Sequence, residues 1–77
     1  MNKVLFFAHL RDEVGEESVT IEATGKTVAE VKALVAEQYK LQKLDSAMTA
    51  INEEFAPNDE VIKDGDIIAF IPPVSGG

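Results

Sequence analysis

The chain has 77 residues, and its 14 acidic and 7 basic side chains give a net charge of −7. This charge disfavours binding to nucleic acid or to an anionic membrane and favours a basic protein surface, although solubility alone would also account for it. A chain of this length forms one domain with a small core, and without cysteine it has neither disulfides nor a thiolate site.

The first elements predicted along the chain form a β-hairpin. Residues 4–8 are continuously apolar, which is typical of a strand covered on both faces. Residues 11–17 are charged, contain Gly15, and are predicted to be a connection. Residues 18–22 alternate polar and apolar side chains, which indicates a half-buried edge strand paired with the first. No run approaches a membrane span or the core of a signal peptide, so we expect a cytoplasmic protein.

One amphipathic helix is predicted over residues 27–40. Thr27 and Glu30 have the spacing of a capping box, in which each side chain bonds to the backbone N–H of the other residue. Lys40 complements the helix dipole at the C-terminal end. Apolar residues recur at helical spacing and form the predicted core stripe, namely Val28, Val31, Leu34, Val35 and Tyr39.

The C-terminal half is predicted to contain strands and tight turns. Residues 47–55 read as a strand interrupted by a turn near Asn52 and Glu53, and residues 57–59 form a second turn. Residues 64–66 form a third turn, which leads into the continuously apolar strand Ile67–Ile71.

Together these elements predict an α+β fold of the β-grasp, or ubiquitin-like, type. We expect a mixed sheet of about four to five strands with one main helix packed on one face, since strands that are apolar on both sides, here the first and the last, belong side by side in the middle. Residues 1–71 are assigned to this domain. Residues 72–77 are assigned to an extended, flexible C-terminal tail that ends in Gly-Gly.

The predicted sheet has a second face that no element of the chain covers. Alternation along the first strand places Leu5 and Phe7 on one face, and Val4, Phe6 and Ala8 on the other. Alternation along the last strand separates Ile67, Ala69 and Ile71 from Ile68 and Phe70 in the same way. One apolar set must therefore meet solvent or a partner, and an exposed apolar patch of this size marks an interaction site.

The tail carries the most specific chemical signal. Pro72 and Pro73 favour a stiff, extended segment, and Gly76 and Gly77 make its tip thin. The only reactive group at this tip is the carboxylate of Gly77, which must be activated, for instance as an acyl-adenylate made from ATP, before a sulfur donor converts it to a thiocarboxylate. A terminal Gly-Gly alone also occurs by chance in frayed chain ends.

Several segments together resemble a known family, the small, sulfur-carrier subunits of molybdopterin synthase. They are residues 4–8, Leu10 and Arg11, residues 64–66 and, most specifically, residues 69–77. The resemblance implies that an adenylyltransferase related to ubiquitin-activating enzymes uses ATP to adenylate Gly77, which then becomes a thiocarboxylate. The tail would enter the large synthase subunit and pass sulfur to cyclic pyranopterin monophosphate, forming molybdopterin.

The same resemblance implies the remaining properties of the chain. It would not be an enzyme on its own, because the catalytic residues belong to the large subunit of a two-plus-two heterotetramer. No cofactor or metal would be bound permanently. The implied docking residues are Phe7, Phe55 and Ile71, and the implied tail residues are Pro72, Pro73, Val74, Ser75, Gly76 and Gly77. Some relatives have an aromatic residue in place of Ile71 and Thr in place of Ser75, differences that bear on partner fit.

Three other functions stay open at this point. A carrier for another pathway, such as thiamine synthesis, would share the fold and the Gly-Gly end, although the sequence before the tail disfavours it. A ubiquitin-like modifier would join Gly77 to lysines of other proteins. The third is a plain interaction domain with an inert tail. Asp64 and Asp66 lack the spacing of a calcium loop and are better explained by a turn, so no metal site is predicted.

Overall fold

The computed structural model describes residues 1–41 and 44–72. In chain order, the elements are β1 (Asn2–Phe6), α1 (His9–Val14), β2 (Ser18–Ile21), α2 (Val28–Tyr39), a 3-10 helix (Leu44–Ser46), β3 (Met48–Ile51), β4 (Glu54–Phe55) and β5 (Ile67–Ile71). Within the described ranges, no helix has both the length and the apolar character needed to cross a membrane.

The strands form one mixed sheet in the order β2-β1-β5-β3-β4. β1 pairs antiparallel with β2 and parallel with β5, and β5 pairs antiparallel with β3. The two strands that are apolar on both faces therefore lie side by side in the interior of the sheet, and β2 lies at an edge. The predicted α+β, β-grasp arrangement is confirmed.

The core lies between α2 and one face of the sheet. Val4 and Phe6 of β1 and Ile68 and Phe70 of β5 are fully or almost fully buried there. The rings of Phe6 and Phe70 pack with their centroids 6.3 Å apart. The helix contributes Val28, Val31 and Val35 to the same cluster. This packing covers one sheet face only.

Helix α2 begins and ends as its sequence predicts. The Glu30 N–H donates to Thr27 Oγ1 at 3.2 Å, and the Thr27 N–H donates to Glu30 Oε1 at 2.9 Å, which completes the capping box. Hydrogen bonds from Thr27 lower the pKa of the Glu30 carboxyl, the backbone bond contributing most. Lys40 is the C-cap and adopts a left-handed conformation.

The predicted core stripe of α2 is wrong at one position. Leu34 is exposed, whereas Lys32 is 8% exposed and its Nζ donates to Ala47 O at 2.9 Å and to Asn58 Oδ1 at 3.2 Å. These two oxygens come from the segment before β3 and from the turn after β4. Local spacing could not reveal partners so distant in sequence.

The structure also corrects the region after β1. Residues 11–17 were predicted to be a connection, but His9–Val14 is a short helix because Leu10 is buried and Gly15 ends the helix in the left-handed conformation. The strand ends at Phe6 rather than at Ala8. Ala8 has φ of 54° and is exposed, so it does not share the buried face of Val4 and Phe6.

The buried side-chain amide of Asn2 joins the start of β1 to two loops by hydrogen bonds. Asn2 is almost fully buried, and its Nδ2 donates to the carbonyls of Lys63 at 2.8 Å and Asp66 at 3.0 Å. Its Oδ1 accepts from the Ala23 N–H at 3.1 Å and from Thr24 Oγ1 at 3.4 Å. The loops that follow β2 and precede β5 are thereby held together at this end of the sheet.

Candidate partner-docking face

The second face of the sheet is open and apolar, as alternation predicts. Strand register aligns Leu5 of β1 with Ala69 of β5, Ala69 with Ala50 of β3, and Ala50 with Phe55 of β4. On either side of this row, Ile67 and Ile71 project from β5 on the same face. We call the surface formed by Leu5, Phe7, Ala50, Phe55, Ile67, Ala69 and Ile71 the open face.

The open face is concave and contains a depression of about 510 Å³. Ala50 and Ala69 lie next to each other at its centre, and their side chains are single methyl groups. Larger side chains surround them, and two of these project strongly into solvent: Phe7 is 45% exposed and Phe55 is 73% exposed. An arrangement of small residues between exposed aromatic ones gives a hollow that another protein can fill.

A tight hairpin turn borders this depression. Asn52 and Glu53 connect β3 to β4, and both have positive φ, 52° and 71°, as a two-residue type I′ turn requires. Asn52 is held by three contacts to the start of β5: its N–H donates to Ile67 O at 2.8 Å, its Oδ1 accepts from Ile67 N at 3.0 Å, and its Nδ2 donates to Asp66 Oδ1 at 2.9 Å.

Glu53 occupies a backbone position that suits glycine better. A non-glycine residue in the left-handed region costs about 1–2 kcal/mol, and the second position of a type I′ turn prefers Gly. Glu53 nevertheless lines the depression with an exposed side chain. No ion pair involves Glu53 within residues 1–41 and 44–72. The open face therefore has at its border a carboxylate without an ion pair among the described residues.

A charged cluster around Met1 lies at the end of the sheet where β5 begins, as the Asn52–Glu53 turn does. The Met1 ammonium contacts Asp64 Oδ1 at 2.6 Å and Glu22 Oε2 at 3.4 Å. The hydrogen bond with Asp64 raises the pKa of the ammonium and lowers that of the Asp64 carboxyl. Hydrogen bonds from Thr24 are the main cause of a lowered Glu22 pKa. Lys3 pairs with Ile67, the first residue of β5, so this cluster is remote from Ile71 at the C-terminal end of β5.

The structure brings together the three residues that the resemblance predicts as docking residues. Phe7, Phe55 and Ile71 all line the same depression. Their binding role stays a prediction. Pro72 is buried directly after β5, and the tail residues Pro73, Val74, Ser75, Gly76 and Gly77 lie outside the described residues.

Sequence reasoning missed two features of this face. The pairing of Ala50 with Ala69 was not anticipated, because it depends on the register between two strands separated by a long segment. The exposed Glu53 was read only as part of a turn. The sequence signal for the turn was Asn52, the residue before Glu53, because Asn tolerates positive φ. In the described part of the chain, no three His, Asp or Glu side chains converge as metal ligands would.

Comparison with known proteins gives the family of this chain. The family model described as the ThiS family matches residues 4–77. The chain belongs to the ThiS family. A curated relative of Haemophilus influenzae, named molybdopterin synthase sulfur carrier subunit, is 37% identical over an alignment of 81 residues that covers 100% of both chains. The resemblance noted in the sequence is therefore confirmed.

Solved structures of similar fold match nearly the full length of the chain. A chain in a complex of subunits 1 and 2 of molybdopterin-converting factor from Helicobacter pylori is 31% identical, with a TM-score of 0.70 and coverage of 99% of this chain and 97% of that one. Small archaeal modifier protein 1 of Methanosarcina acetivorans is 26% identical, with a TM-score of 0.79 and coverage of 99% and 95%.

Proposed function

We propose that this ThiS-family protein is the sulfur-carrier subunit of molybdopterin synthase and acts in molybdenum cofactor biosynthesis. The observation that carries the proposal is the match to the Haemophilus influenzae sulfur carrier subunit, which spans 100% of both chains. The open face and the Gly-Gly terminus support the same function, because a carrier needs a docking surface and a chemical handle.

The chemical handle in this proposal is the carboxylate of Gly77. Attack of this carboxylate on ATP forms an acyl-adenylate and releases pyrophosphate. A sulfur nucleophile then attacks the acyl carbon, and the acyl–phosphate bond breaks. AMP is released, and Gly77 ends in a thiocarboxylate. Gly76 and Gly77 have no side chains to obstruct either attack. The adenylation is performed by an adenylyltransferase related to ubiquitin-activating enzymes.

The open face is the proposed docking surface for the large synthase subunit. Ile71 belongs both to the open face and to the last position of β5, so a protein bound to this face lies beside the point where β5 ends and the tail sequence begins. β5 is held between β1 and β3, which fixes that point relative to the face. Docking through Phe7, Phe55 and Ile71 would therefore direct the tail into the partner.

In the partner, the thiocarboxylate gives its sulfur to cyclic pyranopterin monophosphate, and two such transfers build the dithiolene of molybdopterin. The groups that catalyse the transfer belong to the large subunit, in a heterotetramer with two copies of each subunit, so this chain is not an enzyme on its own. It needs no permanently bound cofactor, since ATP is consumed at the adenylation step. We expect the process to take place in the cytoplasm.

A ubiquitin-like protein modifier is the second candidate. The structural likeness to small archaeal modifier protein 1 favours it, because the two folds agree over nearly the whole chain. A thiamine-type carrier, which the sequence left open, is a third, since it would share the fold and the terminal Gly-Gly. All three would activate Gly77 and differ in what accepts the activated group.

Reconstitution tests the proposal. The chain is prepared in its carboxylate and thiocarboxylate forms, verified by the mass change for replacement of one oxygen by sulfur. Each form is mixed with the large subunit of molybdopterin synthase from the same organism and with cyclic pyranopterin monophosphate. We expect molybdopterin only from the thiocarboxylate form. A chain with one residue added after Gly77 should keep its fold and yield none.

Two results would contradict the proposal. The first is absence of molybdopterin from the verified thiocarboxylate, and the second is full activity of the extended chain. Recovery of the chain in isopeptide linkage to lysines of other proteins, together with an inactive thiocarboxylate, would favour the modifier instead.

A further inference from the structure

The shape of the open face restricts what can bind to it. Its centre is low because Ala50 and Ala69 contribute only methyl groups, while Phe7, Phe55 and Ile67 stand around it. A flat partner surface would rest on the aromatic rings and leave the depression empty. Empty apolar space at an interface forgoes the contacts that stabilise it, so a tight complex requires a side chain that fills the depression.

The charge at the border restricts the partner further. Glu53 is exposed, lines the depression and has no ion pair within the described ranges. Its neighbour Glu54 does not line this depression and instead lines a separate, more polar hollow together with Glu60 and Lys63. The two carboxylates are therefore adjacent in sequence but only one of them faces the apolar depression.

Glu53 is also retained at a cost to the fold. Its φ of 71° is left-handed, in a turn position where Gly would be unstrained. Strained backbone positions concentrate at functional sites, where another requirement outweighs the strain. The only feature of Glu53 that Gly lacks is the side chain, and Glu53 lies at the border of the open face.

We infer that the partner docked on the open face inserts one bulky apolar side chain over Ala50 and Ala69 and places a basic side chain against Glu53. This inference rests on the proposed function, because it specifies how the large synthase subunit is recognised. The net charge of −7 on this chain is complementary to such a basic group and opposes the alternative occupant, a second copy of the same chain.

The first test fills the depression. Ala69→Leu adds a bulky side chain at the centre of the open face, and Ala33→Leu makes the same change on the exposed side of α2, away from that face. Binding of each variant to the large subunit is measured by titration calorimetry. We expect Ala69→Leu to increase the dissociation constant by about 30-fold or more, as loss of an interface hot spot does. Ala33→Leu should leave the dissociation constant unchanged.

The second test removes the charge without altering the strain. Glu53→Gln and Glu54→Gln are isosteric changes at adjacent residues, and only the first lies at the open face. We expect Glu53→Gln to slow association by roughly threefold to tenfold at low salt and to reduce its salt dependence, because a rim charge acts mainly on the association rate. Glu54→Gln should change the rate by less than about twofold.

The outcomes separate this inference from the function on which it rests. Equal affinities for Ala69→Leu and the unaltered chain, or equal effects of Glu53→Gln and Glu54→Gln, would overturn the inference while the unaltered chain still bound the large subunit and delivered sulfur. Failure of the unaltered chain to bind the large subunit would overturn both. Self-association of the unaltered chain through the open face, abolished by Ala69→Leu, would assign the depression to a second copy and overturn the inference.

Discussion

The buried amide of Asn2 gives the sharpest test of how the sheet is held together. Replacing Asn2 by Asp keeps the size and shape of the side chain but exchanges a donor for an acceptor. The Nδ2 atom donates to the carbonyls of Lys63 at 2.8 Å and Asp66 at 3.0 Å. In the variant, an oxygen would face both carbonyls, and three acceptors would be left without a hydrogen.

The magnitude follows from the number of bonds lost. A buried polar group left without its partner costs about 1–3 kcal/mol, so two orphaned carbonyls cost about 2–6 kcal/mol in the free energy of unfolding. A domain of this size is stabilised by about 5–15 kcal/mol at most, so Asn2→Asp removes a large part of the total. The Ala23 N–H keeps its acceptor in either case.

The loss should also depend on pH in a defined direction. Burial beside two carbonyls raises the pKa of the introduced carboxyl in the folded state, because the charged form is disfavoured there. The loss of stability is therefore full at a pH above the pKa of this carboxyl in the folded state, and it shrinks as the pH falls toward the pKa of the carboxyl in the unfolded state. The protonated carboxyl can donate one hydrogen bond and so restores one of the two that were lost.

Urea unfolding followed by circular dichroism at pH 7 and near pH 4 measures this difference. Asn58→Asp is the matched control, since Asn58 is exposed and its Oδ1 accepts from Lys32 Nζ, a role that a carboxylate fills equally well. A loss below about 1 kcal/mol for Asn2→Asp at pH 7, or a loss that grows as the pH falls, would refute the reasoning.

Three further predictions concern single side chains. Thr27→Ala should lower the free energy of unfolding by about 1 kcal/mol in urea, and less at a pH below the lowered pKa of Glu30, where the capping box is already weakened. Phe70→Ala should cost about 3–5 kcal/mol by the same assay, whereas the exposed Phe55→Ala should cost less than about 0.5 kcal/mol; equal losses would contradict the assignment of the two faces. Glu53→Gly should raise the free energy of unfolding by about 1 kcal/mol and so raise the thermal midpoint, because Gly adopts the positive φ of this position without strain. A lower midpoint would argue against strain at Glu53.

The parts of the fold that could be predicted from the sequence are those encoded locally. The capping box at Thr27 and Glu30 and the apolar runs of β1 and β5 each depend on residues close together in the chain. The central placement of β1 and β5 followed from their apolar character on both faces, without any knowledge of the register. The existence of the open face followed from the same alternation.

The parts that escaped prediction depend on partners distant in sequence. Lys32 is buried in place of Leu34 because oxygens of Ala47 and Asn58 receive its ammonium group, and neither is near α2 in the sequence. The concavity of the open face requires the register that opposes Ala50 and Ala69. The short helix α1 has too few residues for a periodic pattern to stand out among its charges.

The central position of β5 has a consequence for how the protein is made. β5 is the last strand in the described part of the chain, and it separates β1 from β3 in the sheet, with Lys3 lying beside Ile67. A nascent chain whose β5 is still inside the ribosome can form the hairpin of β1 and β2, but it cannot close the sheet, because the contacts that join the two ends span nearly the whole sequence. Folding must therefore wait until residue 71 has left the exit tunnel. A chain shortened before β5 would leave the facing edges of β1 and β3 unpaired, so we expect truncated copies that lack the tail to be more susceptible to proteolysis than the folded chain.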